Sequence, residues 1–292
     1  MIRLPHLFPA IARRAAPAWA LMALAGSVTA QAAEEPARRM GLNPPASSYG
    51  QMFDDLFMMI TALISGAFVI VLFMLLVPVI RDRDRKWGDG TGKPSHKASF
   101  DHGRSLHDKR FTAVVSIIVF FVLDASVLYV TMKDLREGFW NIPAPDTPDV
   151  VKVEVLAQQW AWNFRLPGTD GEFGTADDIL TLNDMVVSVN RPVQLNMTAK
   201  DVIHSLFLPD MRLKRDVNPG AINEAWFEPI TVGTYDILCA ELCGFAHYQM
   251  HAKVRVLSEA DFDAWVQEAS ILALAAHDES DTEAQWAWDW KE

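Results

Sequence analysis

From Leu56 to Ile80 the chain runs for 25 positions without a charge, opening LFMMITALISGAFVIVLFMLL. The hydrocarbon core of a bilayer accommodates a helix of about 20 apolar residues. Inside it the backbone must satisfy its own hydrogen bonds, which a helix does. A transmembrane helix is therefore expected over residues 55–80. A second run, FTAVVSIIVFFVLDASVLYVTM from Phe111 to Met132, is apolar except for Asp124 and predicts a second span over 111–133. The hydrophobic share of the whole chain, 50%, fits a protein that gives part of its length to lipid.

The flanks orient the pair. Residues 81–110 carry nine Lys or Arg against five Asp, and short basic loops stay in the cytoplasm. At the N-terminus Arg13 and Arg14 precede the apolar run AAPAWALMALAGSV and then TAQA, the form of a signal peptide over 1–32 cleaved after Ala32. Residues 33–54 read as an N-terminal lead-in, of which 33–50, rich in Ala and Pro, looks mobile. Both lines of reasoning give a multi-pass protein of the bacterial inner membrane. Its N-terminus and C-terminal domain lie in the periplasm, and loop 81–110 lies in the cytoplasm. Asp124 falls mid-span, where a charge costs at least about 2.5–3.5 kcal/mol, so it should face another subunit or hold its proton.

Beyond the hairpin, residues 141–257 alternate β-patterned runs with turns: VVKVEVLAQQWAWNF, MVVSVNRPVQLNMTA, AWFEPITVGTYDIL and HAKVRVL. Such spacing predicts an all-β Greek-key barrel or sandwich. Trp160 and Trp162, two apart in QQWAW, are expected on one face of a strand, with Trp162 in the core. Residues 258–292 read as a helix with Phe262, Trp265 and Val266 on one face, then an acidic tail ending WAWDWKE to which no chemistry is assigned. The Asp/Gly rhythm of PGTDGEFGTADD, residues 167–178, has the look of a calcium loop but lacks an EF-hand pattern, and a β-hairpin excursion is the simpler reading. Residues 134–292 hold 11 basic and 27 acidic groups, a net −16. That field excludes nucleic acid as a partner and attracts basic proteins.

The two cysteines fall together in CAELCGFAHYQM, residues 239–250. An exported protein with C-x3-C invites a disulfide. Yet His247 stands four residues past Cys243, Met250 three beyond that, and His204 lies 35 residues before Cys239. Thiolate, imidazole and thioether make a soft donor set suited to copper, and Met argues against zinc. Two sulfurs on one loop can bridge two metals. Cys239 and Cys243 would hold a copper pair, His204 and His247 would cap one copper each, and Met250 and the Glu241 carbonyl would be weak outer ligands. His204 could instead be a hydrogen-bonded core histidine, and His251 competes with Met250.

This ordered set, C-x-E-x-C-x3-H-x2-M with its upstream His, resembles the dinuclear CuA signature of cytochrome c oxidase subunit II, the copper-bearing subunit of the haem–copper oxidases. KDVIHS, RLKRDVNPG, ELCG, QQWAW, the signal peptide and the hairpin fit the same family, over about residues 50–266. The resemblance implies a cupredoxin-like periplasmic domain at 141–257, preceded by the two-helix transmembrane hairpin. It implies an electron-transfer subunit that takes electrons from a separate cytochrome c, since C-x-x-C-H is absent from the chain. By the same resemblance, that subunit would pass them to haem in subunit I, which carries haem and CuB, where O2 is reduced and protons are pumped. Trp160 would receive the electron. The Glu241 side chain would help bind Mg2+ or Mn2+ shared with subunit I, and Asp108 would stand at the mouth of a proton pathway. Asp201, Asp210, Asp216, Asp177 and Asp178 are candidates for an acidic docking rim. Arg165 departs from the family, which often has an acid there, and this puts the detailed docking footprint in doubt. A nitrous oxide reductase would need a second large domain and no hairpin, and a quinol oxidase subunit lacks the copper ligands. A membrane-tethered periplasmic copper chaperone or redox carrier is the alternative from another class.

Overall fold

The computed structural model describes residues 41–82, 103–144, 147–278 and 280. The expected signal peptide, most of the basic loop 81–110 and the WAWDWKE tail lie outside the described residues. Helix α1 spans Gly50–Asp82 and helix α2 spans Leu106–Phe139. Both are long and apolar enough to cross a membrane, and large apolar side chains such as Phe68, Leu75 and Phe121 are largely exposed on them. A helix apolar all round in this way is built for lipid or for other helices.

Both helices outrun the expected 55–80 and 111–133. α2 starts early because Ser105 caps it. The Ser105 hydroxyl accepts from the Asp108 backbone N–H at 3.0 Å and donates to the Asp108 carboxylate, a side-chain N-cap. Asp108 therefore sits in the first helical turn and not in the loop before it. Farther along, α2 passes through π-helical turns at Val119–Asp124 and Leu135–Phe139. Asp124 ends the first of these and lines the cleft between the helices with Ile60, Leu63 and Ala67 of α1.

Residues 46–50 correct the expectation of a mobile lead-in, and the anchoring continues to Asp54. Ala46 N–H donates to the Asp210 carbonyl at 2.7 Å, and Ser47 Oγ to the Met211 carbonyl at 2.7 Å. Tyr49 Oη donates to the Trp226 carbonyl at 2.9 Å, with Ala46, Ser47 and Tyr49 all buried. Arg212 then donates from Nε and a terminal nitrogen to both oxygens of buried Asp54, at 2.7 and 2.9 Å. The entrance to α1 is thereby fastened to the β domain.

That domain has ten strands in two five-stranded sheets. In chain order they are β1 (Val151–Gln158), β2 (Ala161–Leu166), β3 (Ile179–Leu182), β4 (Asp184–Ser188), β5 (Val193–Ala199), β6 (His204–Leu208), β7 (Leu213–Val217), β8 (Asn223–Phe227), β9 (Gly233–Cys239) and β10 (His251–Leu257). One sheet runs β3-β2-β1-β5-β8 and the other β4-β10-β9-β6-β7. The β1–β5 and β10–β4 pairs are parallel and the rest antiparallel. Alternation drives the packing. Val151, Val153 and Val155 of β1 point inward while Lys152 and Glu154 face the other way. Trp162, Phe164, Met185, Met197, Leu206 and Phe227 fill the space between the sheets, at roughly 1.5–3 kcal/mol for each large side chain removed from water. The expected cupredoxin-like β domain behind a two-helix hairpin is the fold observed.

Helix α3, Glu259–Ala276, is capped by Ser258 accepting from the Asp261 N–H, and it lays Phe262, Trp265 and Val266 on the domain. The 167–178 segment links antiparallel β2 and β3, as a hairpin excursion should. Its carboxylates are already engaged. Asp177 accepts from Thr169 N–H, Thr169 Oγ1 and Thr175 Oγ1, and Asp178 accepts from Gly174 N–H. The first of these is a buried anchor of its own loop, at the far end of β2 from Trp160, so neither belongs to a rim around that ring.

Candidate metal centre

The donors are gathered by strand pairing. β6 and β9 are antiparallel neighbours with Leu206 opposite Cys239, which brings His204 at the start of β6 to the same edge as Cys239 at the end of β9. The following loop is drawn back by Cys239 N–H donating to the Met250 carbonyl at 3.1 Å and Ala240 N–H to the Ser205 carbonyl at 2.9 Å. A short helical turn, His247–Gln249, then returns the chain and delivers Met250 inward ahead of β10.

The resulting cluster is compact. Ligating atoms of His204, Cys239 and Cys243 all lie within 4.8 Å of one another. The two sulfurs are 3.7 Å apart and both thiols are free, which removes the disulfide reading, because a bonded pair sits near 2.05 Å. Each sulfur meets a different pair of donors. Cys239 Sγ is 3.3 Å from the Glu241 carbonyl and 4.0 Å from His204 Nδ1. Cys243 Sγ is 3.4 Å from His247 Nδ1 and 3.7 Å from Met250 Sδ. Met250 Sδ is also 3.2 Å from His204 Nδ1. His251 points outward from β10, so the geometry selects Met250 over it. Two sulfurs, two imidazoles, a thioether and a carbonyl, with no carboxylate oxygen among them, fit copper.

His204 is 0% exposed and held from behind. Its Nε2 lies 2.8 Å from Asp201 Oδ1, which leaves Nδ1 for the cluster, and the Trp162 ring packs edge-on at 6.1 Å between centroids. A carboxylate behind a ligating imidazole fixes its tautomer and raises its basicity. Burial alone would depress the His204 pKa, but Cys239 and Asp201 lift it above the ordinary value. Burial pushes the Cys239 thiol up, and donation from His204 and the Ser205 backbone overcomes it, bringing the pKa to about 6. Cys243 is pushed up to about 12 by burial and by its bond with Cys239. Without a cation between them, the pair holds one negative charge, because the second thiolate would face the first.

Trp160 departs from the expected arrangement. β1 pairs with β2 through Gln158 opposite Ala161, so Gln159 and Trp160 form a two-residue turn, and their peptide bond is cis. Trp160 therefore does not share a strand face with Trp162. It is 38% exposed at the hairpin tip, while Trp162 is wholly buried. The tip is tied to the cluster: Gln159 N–H donates to Asp201 Oδ2 at 2.7 Å and Gln159 Nε2 to the Cys243 carbonyl at 2.8 Å. Gln159 and Gly244, unremarked in the sequence, join the site here. The Glu241 side chain is exposed on the same loop, as are Leu242, Phe245 and Tyr248. Asp216 accepts from Ser205 Oγ at 2.8 Å beside His204. Asp210 instead lies where residues 46–54 dock. Arg165 is buried, donating to Glu154 at 2.6 Å and paired with Asp178 at 3.5 Å, so it belongs to the interior of the domain and not to a docking surface.

Comparison with known proteins places this geometry. The family model described as the periplasmic domain of cytochrome c oxidase subunit II matches residues 151–257. An alternative cytochrome c oxidase subunit 2 of Bradyrhizobium diazoefficiens is 39% identical over 157 residues, 46% of this chain and 55% of that relative. A protein of Rickettsia bellii named probable cytochrome c oxidase subunit 2 is 30% identical over 258 residues, 83% of this chain and 87% of its own. The crystal structure of the periplasmic domain of subunit II of cytochrome oxidase from Bradyrhizobium japonicum is 28% identical, with a TM-score of 0.39, over 45% of this chain and 98% of that one. With the family match and the Rickettsia bellii relative in agreement, the chain belongs to the cytochrome c oxidase subunit 2 family.

Proposed function

We propose that this chain is the electron-accepting subunit of a respiratory terminal oxidase, with a dinuclear copper centre held by Cys239, Cys243, His204, His247, Met250 and the Glu241 carbonyl. The observation that carries this reading is the convergence of two free thiols, each touching a different pair of further donors. Bound there, the copper pair supplies one-electron chemistry with little reorganisation, because bond-length change is shared between two metals.

The residues of the chain do the rest. Cys239 and Cys243 would offer both thiolates from one loop, Asp201 fixes His204, and Trp162 closes the rear against water. Trp160, half-exposed above the loop, receives the electron from a separate cytochrome c, and the acidic outer domain steers a basic donor toward it. The partner subunit I takes the electron to haem, where O2 is reduced and protons are pumped. The Glu241 side chain contributes to a Mg2+ or Mn2+ site completed by that partner, since a single carboxylate cannot hold the ion alone. Asp108, at the far end of the hairpin, stands at the mouth of a proton pathway into subunit I. The basic loop 81–110 lies in the cytoplasm and the β domain in the periplasm.

The test is electron paramagnetic resonance of the full chain loaded with copper. Equal hyperfine coupling to two coppers is expected, lost in Cys243→Ser. A spectrum from a single copper in the parent protein defeats the assignment.

A further inference from the structure

Trp160 is held by more than its own strand ends. Gln159, its neighbour in the turn, makes two hydrogen bonds to different loops of the cluster. Its backbone N–H reaches Asp201 Oδ2 at 2.7 Å, and the other oxygen of that carboxylate meets His204 Nε2 at 2.8 Å. Its side-chain Nε2 reaches the carbonyl of Cys243 at 2.8 Å. The third element is Gly244, directly after Cys243. Gly244 has φ +118°, a backbone conformation that side chains rarely adopt. A Cβ there would lie 2.9 Å from Gln159 Nε2 and 3.4 Å from both Nε1 and Cζ2 of the Trp160 indole. The amide end of Gln159 cannot swing away without breaking its bond to Cys243. The bare glycine backbone is thus what lets the indole edge rest on the cysteine loop.

We infer that Gln159, Asp201 and Gly244 are positioning residues that clamp the Trp160 indole against the loops carrying His204 and Cys243, and so fix the gap an incoming electron crosses. The inference rests on Trp160 as the point of electron arrival. In that transfer the donor loses one electron, the bound copper gains it, and no bond at Trp160 forms or breaks. What the clamp controls is distance. The rate of electron tunnelling falls exponentially with that distance.

The test uses two variants that break the clamp differently. Gly244→Ala adds the Cβ, and Gln159→Leu deletes the donor to Cys243 while adding nothing at Gly244. Each is measured in two ways. In the full chain labelled with fluorotryptophan, 19F resonance follows the indole, the Trp160 signal being the one missing from Trp160→Phe. In the assembled oxidase, flash-initiated transfer from reduced cytochrome c gives the rate of electron uptake, with the copper spectrum reporting site integrity. Both variants should shift the Trp160 resonance, slow uptake severalfold, and leave the copper spectrum and the KM for the donor in place. If Trp160→Ala slows uptake while Gly244→Ala and Gln159→Leu leave both resonance and rate unaltered, the clamp is overturned and the Trp160 route survives. If Trp160→Ala itself leaves uptake unchanged, the route fails and takes the clamp's role with it.

Discussion

Asp201 sits directly behind His204, its Oδ1 2.8 Å from the imidazole Nε2, on the side away from the sulfur cluster. Hydrogen bonds from His204, Gln159 and Val202 hold the Asp201 carboxyl below its ordinary pKa against the opposing effect of burial. The carboxylate thus stays ionised and commits the other nitrogen, Nδ1, to the cluster. Asp201→Ala should weaken copper affinity by about 10–100-fold, the usual cost of losing such a partner. Asp201→Asn, which can still accept a hydrogen bond, should cost less. Competition with a chelator of known affinity measures both.

The sulfur pair gives a pH prediction for the metal-free protein. Cys239 has its pKa lowered from 9.0 to about 6, so its contribution to stability is full above pH 9 and is lost as pH falls through about 6. Cys243 is raised to about 12, so its contribution is full below pH 9 and is lost as pH rises toward 12. Between about pH 6 and 12 the pair shares one proton. Alkylation followed by mass spectrometry should find Cys239 modified at pH 7 and Cys243 protected. Equal labelling of the two thiols at that pH contradicts the assignment.

Buried Arg165 should matter for stability and not for docking. Removing its side chain leaves Glu154 and Asp178 together in the interior, a break that costs about 3–5 kcal/mol in buried pairs. Burial already raises the Glu154 pKa from 4.5, with Arg165 opposing. The folded value is above the unfolded one, so stability from this group is full below pH 4.5 and declines as pH rises. Arg165→Ala should steepen that decline in thermal melts. The ionic-strength dependence of the reaction with cytochrome c should not change.

Asp54→Ala should loosen the joint between α1 and the β domain. Arg212 would keep its bond to the Pro209 carbonyl but lose both carboxylate oxygens. The expected loss is about 3 kcal/mol, the lower end for a broken buried pair. Limited proteolysis near residues 44–54 should become faster, while the copper spectrum stays as it was.

What could be read in the sequence followed from strong, local signals. Uninterrupted apolarity marked the hairpin, alternation marked the strands, and soft donors at fixed spacing marked Cys239, Cys243, His247 and Met250 as a group with His204. The break between β1 and β2 was hidden because Gln158, Gln159, Trp160 and Ala161 include none of the Gly, Pro, Asn or Asp that usually announce a turn. That single omission put Trp160 on the wrong element. Arg165 looked like a surface charge because its partners, Glu154 and Asp178, are 11 and 13 positions away and meet it only through β1–β2 pairing and the loop to β3. Residues 46–50 looked loose because their partners at Asp210, Met211 and Trp226 lie more than 150 residues on.

The β domain meets the hairpin at two places: the end of α2, where the Arg215 guanidinium lies over the Phe139 ring at 5.4 Å, and the fastened stretch from Ala46 to Asp54. A plate on one pin can swing, but on two it holds its angle. Under the proposed function, a diffusing redox partner would meet a target whose tilt has been settled by folding, with little rotational freedom left to be surrendered at each encounter.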